Sequence, residues 1–378
     1  MKFILMKTKL FIPNSYCFLF SILLFIIAFP ALAQTSAYVI KGKVIDKNTR
    51  APLQGASVFA QNTTLGAATN EAGDFSIRLP EGGYLLAVTF TGYETESIRI
   101  NRASSQEGDI TFELSPLTKS LEEVSIVISN EVKDGWQKYG EFFIENFIGQ
   151  TKFAKQCVIK NPEVLHFYFS KKRNRLKVLS EEPLVVDNFA LGYTIKFAID
   201  SFTNEYNSHT NLFVGYPLFE KMIGTSEQEE TWADNRFNAY SGSMLHFMRS
   251  LYGRTLQEDG FELQFIVKNN DNEIPIPLPD VYGALNYAKN DSTHTVEFHP
   301  NQSVVAVIYN DEEPEEAYIK MDSSAKKNFQ LSTLTFAKGA SIVIEQNGYY
   351  YDQEDIITNG YWGFKKIGDM LPYDYSEE

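Results

Sequence analysis

The chain has 378 residues, 44% of them apolar and 22% charged, which is enough for two domains with their own cores and too apolar for a disordered polymer. Lys and Arg number 34 against 48 Asp and Glu, a formal net charge of −14. A surface of that sign repels phosphate backbones and anionic lipid, so nucleic-acid binding and polybasic membrane attachment are excluded as functions.

Lys2, Lys7 and Lys9 open the chain, Cys17 to Phe29 is an apolar run, and Ala31-Leu32-Ala33 is a small-x-small pattern before Gln34. This combination predicts a cleavable secretory signal over 1–33, because the run is shorter than the roughly 20 residues a span needs and ends at a processing site. No membrane span is expected after cleavage. Cys17 lies inside the run, so no cysteine heads the mature chain for a lipid anchor. Cys157 then remains alone and no intrachain disulfide can form. With no His or Arg beside it in sequence, it is expected as a small buried hydrophobe and not as a nucleophile.

From Tyr38 onward short alternating runs follow one another: Ile40, Gly42 and Val44; Ala56, Val58 and Ala60; Phe75, Ile77 and Leu79; Tyr84, Leu86, Val88 and Phe90; then Ile98, Ile100, Ile110, Phe112 and Leu114. Period-two burial at this spacing, with Gly and Pro turns between, predicts an antiparallel sandwich, with Gly73 at a positive-φ turn position and Pro80 to Gly83 as a hairpin connection. Gly42-Lys43-Val44-Ile45-Asp46, Pro52-Leu53-Gln54-Gly55-Ala56-Ser57-Val58, Thr69-Asn70-Glu71-Ala72-Gly73-Asp74-Phe75 and Phe90-Thr91-Gly92-Tyr93-Glu94 resemble the carboxypeptidase-regulatory-like domain, a transthyretin-like β-sandwich. The resemblance covers residues 38–115 and is specific for fold, not for function. It implies an accessory module, of the kind found beside metallocarboxypeptidases and at the front of TonB-dependent outer-membrane receptors.

Leu121-Glu122-Glu123-Val124-Ser125-Ile126-Val127-Ile128 is similar to the short segment that follows this domain in those receptors. What remains of the chain is too short for a receptor barrel of some 22 strands, so 116–133 is read as a plain linking strand. Asp134 to Gly149 reads as a helix with Trp136, Tyr139, Phe143 and Phe147 at helical spacing. Strands are expected at Val164 to Phe169, Arg175 to Leu179, Leu184 to Val186 and Tyr193 to Ala198. A helical pair follows between Ser226 and Leu256, with Ser243 as a cap and His246, Arg249, Ser250 and Gly253 opposite the apolar face of the second helix. Further strands are expected at Phe261 to Lys268, Thr293 to Phe298, Val304 to Tyr309, Leu331 to Phe336 and Ser341 to Glu345. Ile274-Pro275-Ile276-Pro277-Leu278-Pro279 reads as an extended loop, and the chain ends in a short helix between Gly360 and Pro372. The fold class is therefore multidomain: an all-β transthyretin-like sandwich followed by a mixed α+β domain over 134–378.

The family name invites a test for zinc carboxypeptidase chemistry, which needs a His-x-x-Glu pair, a distant second His and a separate Glu base. His294-Thr295-Val296-Glu297 has the spacing, but the only later histidine, His299, is far too near, and on a strand His294 and Glu297 point to opposite faces. That activity is not expected, nor is a metal or another cofactor. No Gly-x-Ser-x-Gly elbow is present either; Ser241-Gly242-Ser243 comes nearest and looks like the start of a helix.

The cluster most like a site is Trp232, Arg236, Tyr240, His246 and Arg249, whose rings and guanidinium groups suit a carboxylate, sugar or peptide. The same residues also suit core packing, a solvated helix face, or an arginine network holding the helices on the sheet. Three segments, around Asn188 to Tyr193, Tyr240 to Leu251 and Gly360 to Pro372, look similar to an uncharacterised family of bacterial envelope proteins that carry the same N-terminal sandwich. This resemblance implies residence in the periplasm or on the outer surface of a Gram-negative bacterium and brings no activity. A non-catalytic protein that binds or scaffolds an envelope protein or glycan is the leading expectation; a hydrolase with its site around His246 and Arg249 is the alternative. Oligomeric state is not legible.

Overall fold

Tyr38, Ile40, Gly42 and Val44 face inward along β1 (Ala37–Asp46) while the residues between them face water, the burial that one packed and one solvated sheet face impose. This computed structural model describes residues 37–117, 130–208, 210–269 and 272–377. The segment 121–128 and most of the expected linking strand lie outside the described residues. After β1 come β2 (Ser57–Ala60), β3 (Gly66–Ala68), β4 (Asp74–Pro80), β5 (Tyr84–Thr89), β6 (Glu96–Ile100) and β7 (Ile110–Leu114). They form two sheets, ordered β4-β1-β7 and β3-β2-β5-β6, with β1 and β7 parallel and the other pairs antiparallel. Ile40, Val44, Val58, Leu79, Leu86 and Leu114 lie at the centre of the core between them.

Gly73 takes φ 78° at its turn, where a Cβ would lie 2.5 Å from the Val44 carbonyl oxygen. Pro80 to Gly83 does not form a hairpin. β4 pairs with β1 and β5 with β2 and β6, so this turn carries the chain from one sheet to the other. Alternation reads the same whether successive strands pair in one plane or face each other across a core, and the sequence pattern alone does not separate the two.

Helix α1 (Gly135–Phe143) continues as one π-turn at Ile144–Ile148 and stops at Gly149, φ 110°. Phe143 and Phe147 pack edge-on against Phe202 and Phe197, with ring centroids 5.0 and 5.1 Å apart. Those rings belong to a six-stranded sheet of β8 (Cys157–Ile159), β9 (Leu165–Ser170), β10 (Arg175–Ser180), β11 (Leu184–Asn188), β12 (Tyr193–Glu205) and β13 (Thr210–Lys221). One edge of the long β12 is shared by β11 and β10, and the other pairs with β13 along its whole length. The structure thus extends the expected strand at Tyr193 and adds β13. Leu212 and Val214 are exposed on β13 while Phe213 packs inward, so apolar residues on both faces, with Gly215 and Pro217, erase the alternating signal.

Two helices follow, α2 (Ser226–Tyr240) and α3 (Met244–Gly253), then eight strands: β14 (Phe261–Asn269), β15 (Asn272–Pro277), β16 (Ala288–Asn290), β17 (Thr295–Phe298), β18 (Val304–Tyr309), β19 (Gln330–Phe336), β20 (Ile342–Glu345) and β21 (Ile356–Gly360). They make sheets ordered β15-β14-β18-β19-β21 and β16-β17-β20. The proline-rich stretch expected as a loop is the edge strand β15, with Pro277 opposite Gln264 and Pro275 opposite Ile266. Prolines two residues apart present their missing N–H groups to the same side, which on an edge strand is the unpaired one. At the C-terminus a single helical turn, Tyr361–Phe364, and a 3-10 turn, Ile367–Asp369, replace the expected short helix.

The described chain is mostly β-strand with few helices, and residues 37–378 form one compact unit. The sandwich meets the rest along two seams. In one, Asn62 N–H donates to the Pro217 carbonyl (2.7 Å), Phe219 N–H to Thr63 (2.9 Å) and Tyr373 N–H to Asn62 (2.6 Å). In the other, Asn347 Nδ2 donates to the Gly83 carbonyl (3.1 Å) and Arg99 pairs with Asp352 (2.9 Å). Among the described residues no helix is long and apolar enough to cross a membrane.

Candidate functional site: a cleft beside helix α2

Helix α2 begins with a capping box, Thr225 with Gln228, and carries Glu227 and Glu229 in its first turn, where the helix dipole favours negative charge. Only Trp232, Ala239 and Tyr240 of the helix are buried, so an apolar stripe does not hold it down. A ladder of donors does. Trp232 Nε1 donates to the Phe189 carbonyl (2.9 Å), Asn235 Nδ2 to Ala190 (2.8 Å), and Arg236 Nε and Nη2 to Leu191 (2.7 Å) and Gly192 (3.4 Å). Positions i, i+3 and i+4 share one helix face, which lets three side chains satisfy four consecutive carbonyls of one turn. Asn188, fully buried, shapes that turn by accepting from the N–H groups of Ala190 and Leu191, both at 3.1 Å. Gly192 closes it at φ 68°, and a Cβ there would lie 2.3 Å from the Trp232 ring.

Ser243 caps α3 by accepting from the His246 N–H (3.1 Å). His246 Nδ1 accepts from the Gly242 N–H (3.2 Å), which places the proton of the neutral imidazole on Nε2. Its ring lies 4.7 Å from Tyr240 and 5.0 Å from Phe261, and burial holds its pKa below the usual histidine value. Arg249 donates from Nε to the Asn347 carbonyl (3.1 Å) and from Nη2 to those of Tyr373 (3.1 Å) and Tyr375 (2.8 Å). Ser250, expected opposite the apolar face of α3, is buried and donates to the His246 carbonyl (2.9 Å), the back-bonding that lets a serine sit inside a helix.

The five sequence-derived residues therefore divide. Tyr240, His246 and Arg249 sit together, with the Arg249 guanidinium 5.5 Å from the Tyr240 ring. Trp232 and Arg236 face the turn at 189–192, and Arg236 also stacks on Tyr193 at 4.4 Å. Beyond Arg236 opens a cleft of ≈ 320 Å³ lined from four directions: Thr64, Tyr193 with Lys221, the α2 residues Ala233, Asp234, Arg236 and Phe237, and the terminal segment Pro372, Asp374, Tyr375, Ser376 and Glu377. Asp374 accepts from the Thr64 N–H (2.9 Å) and from its hydroxyl, which fastens the terminal wall to the sandwich.

Other candidate groups lead elsewhere. His294 precedes β17 at φ 55°, and Glu297 on that strand accepts from the Ser341 hydroxyl. No cluster of three or more His, Cys, Asp or Glu able to hold a metal occurs among the described residues. Burial pushes the Cys157 thiol up to about 12, as suits an unreactive side chain. Sequence reasoning missed Asn188, Asn235 and the terminal wall, and it missed a buried charged group around Asp369. Burial raises Asp369 to about 6; Thr151 donates to one of its oxygens (2.8 Å) and the other has no hydrogen-bond partner among the described residues. Burial also holds the Lys365 amine below and Glu312 above their usual values. The one available signal was Lys365 and Lys366 standing close before Asp369 in a stretch otherwise rich in apolar and aromatic residues.

Residues 40–126 match the family model of the CarboxypepD_reg-like domain. The sandwich is the part of the described chain that falls within this match, and it defines the class of the N-terminal region. A crystal structure of a DUF3823 family protein from Bacteroides ovatus ATCC 8483 is similar at 10% identity, over 50% of this chain and 83% of that one, with a TM-score of 0.18, at which no common fold is implied. No curated protein matches the chain.

Proposed function

We propose that the chain is an exported envelope protein of a Gram-negative bacterium, periplasmic or at the outer surface, that binds an envelope partner without transforming it. In this reading the sandwich over 38–115 is an accessory module, and a mixed α+β domain over 134–378 carries the recognition cleft beside α2. One contrast supports it. Nδ1 of His246 and Nε and Nη2 of Arg249, around which a hydrolase site would be built, are spent on the chain's own backbone, whereas the open cleft presents charged and aromatic side chains and, among the described residues, no histidine or cysteine lines it to serve as base or nucleophile. A protein partner is favoured over a glycan because charges of both signs line the cleft.

Photo-crosslinking in the native envelope tests the reading. A benzophenone amino acid replacing the exposed Phe237 should capture one partner, and Lys221→Glu combined with Asp234→Lys should abolish capture. The same probe at Phe189, exposed but outside the cleft, should give no such adduct. Undiminished capture after the charge swap would sink the cleft; an adduct digested by glycosidases and not by proteases would replace the protein partner with a glycan.

A further inference from the structure

The charges in the cleft do not neutralise one another. Nε and Nη2 of Arg236 are spent on carbonyls, but Nη1 has no partner among the described residues. That guanidinium is always charged, and the Leu191 and Gly192 carbonyls with the Tyr193 ring at 4.4 Å fix its plane. Lys221 at the rim makes no ion pair among the described residues either. Of the three carboxylates, Asp374 is held by Thr64, while Asp234 and Glu377 have no hydrogen-bond or ion-pair partner among the described residues.

We infer that the cleft takes a zwitterionic group, a carboxylate set against Arg236 and Lys221 and an ammonium set against Asp234 and Glu377, the chemistry of an amino acid or the end of a short unblocked peptide. This deepens the binding reading above and rests on it. A simple anion would satisfy the guanidinium while facing two unpaired carboxylates on a chain already at −14, and a simple cation would leave Arg236 and Lys221 unmatched. A zwitterion pairs both signs through charge-assisted hydrogen bonds. The volume of ≈ 320 Å³ lies at the small end of ligand pockets and suits one or two amino-acid residues, with Phe237 and Tyr375 flanking their side chains.

Calorimetric or NMR titration of the full chain with four probes tests this: alanyl-alanine, N-acetyl-alanyl-alanine, alanyl-alanine amide and glucuronate. Alanyl-alanine should bind at least about tenfold more tightly than each of the others, which lack one of the two charges. Asp234→Asn with Glu377→Gln should bring alanyl-alanine and its acetylated form to the same affinity, the first losing its ammonium partners and the second two repelling carboxylates. Lys221→Gln should narrow the gap to the amide. These substitutions lie on exposed side chains, and unchanged melting temperatures would confirm that the fold is intact. No response to alanyl-alanine, or equal binding of glucuronate, overturns the zwitterion. If a single-charge probe binds equally well and loses affinity on Phe237→Ala, only the ligand class falls and the cleft stands. Failure of capture at position 237 would instead remove the cleft itself.

Discussion

Buried side chains of the sandwich are nearly all hydrocarbon or aromatic, Asp46, Thr63 and Thr69 apart, whereas the terminal segment buries Asp369 among Tyr361, Trp362, Phe364 and Ile367 and is tied down by single donors. Trp362 Nε1 reaches the Gly242 carbonyl (2.7 Å), Arg249 holds Tyr373 and Tyr375, and Thr64 holds Asp374. The first region depends mainly on filled volume, and the pKa of its buried carboxylate Asp46 is lowered by the Thr49 N–H and the Tyr93 hydroxyl, so it keeps one charge state between pH 5 and pH 8. The second depends on which groups are charged and on whether each carbonyl keeps its donor. The cleft is walled by the second region, so its shape inherits that sensitivity.

The largest expected effect tests the dry side of this contrast. Leu86→Ala in the sandwich core should cost about 2–5 kcal/mol, the same at pH 5 and pH 8, as measured by hydrogen exchange of β2 and β5. A cost that changes with pH would break the contrast. Next, Arg249→Ala leaves the carbonyls of Asn347, Tyr373 and Tyr375 without their donor, for a local cost of about 2–4 kcal/mol. Amide protection over 371–377 should collapse while β1 to β7 keep theirs; Arg249→Lys, with one ammonium in place of a fork, should restore less than half of the loss.

The smallest effect has the opposite sign. Asp369 has its pKa raised by burial to about 6 in the folded chain, above its unfolded value of 3.8, so the folded state holds the proton more tightly. The stability linked to this group is complete below pH 3.8 and is lost as pH rises through about 6. Asp369→Asn should therefore stabilise the chain by about 1–3 kcal/mol at pH 8 and by nothing at pH 4, read from denaturant midpoints at the two pH values. Destabilisation at pH 8 would show that pairing with Lys365 outweighs burial.

Much of the strand and helix order was legible because it rests on periodicity and punctuation: the sandwich strands apart from the three-residue β3, α1 with its stop at Gly149, and α2 and α3 with the Ser243 cap. β13 and β15 were not, because apolar residues on both faces of one and prolines along the other hide the strand signal. At the candidate site the sequence pointed to Arg236 and its helix but not to the cleft. Asn188, Asn235, Gly192 and Arg236 lie up to 48 positions apart and join only when the turn after β11 meets α2, as the 45-residue separations of the Asn235 and Arg236 hydrogen bonds show.

By itself the sequence determined the sandwich, with its match over 40–126, and most of the local elements, because side-chain alternation, helix caps and positive-φ glycines act over a few residues. Only the tertiary structure decided that Pro80 to Gly83 crosses between sheets, that Arg249 serves the backbone of the terminal segment, and that Lys221, Arg236, Asp374 and Glu377 share one cleft. Those outcomes depend on which distant carbonyl each donor finds when the layers close, and no local pattern encodes that choice.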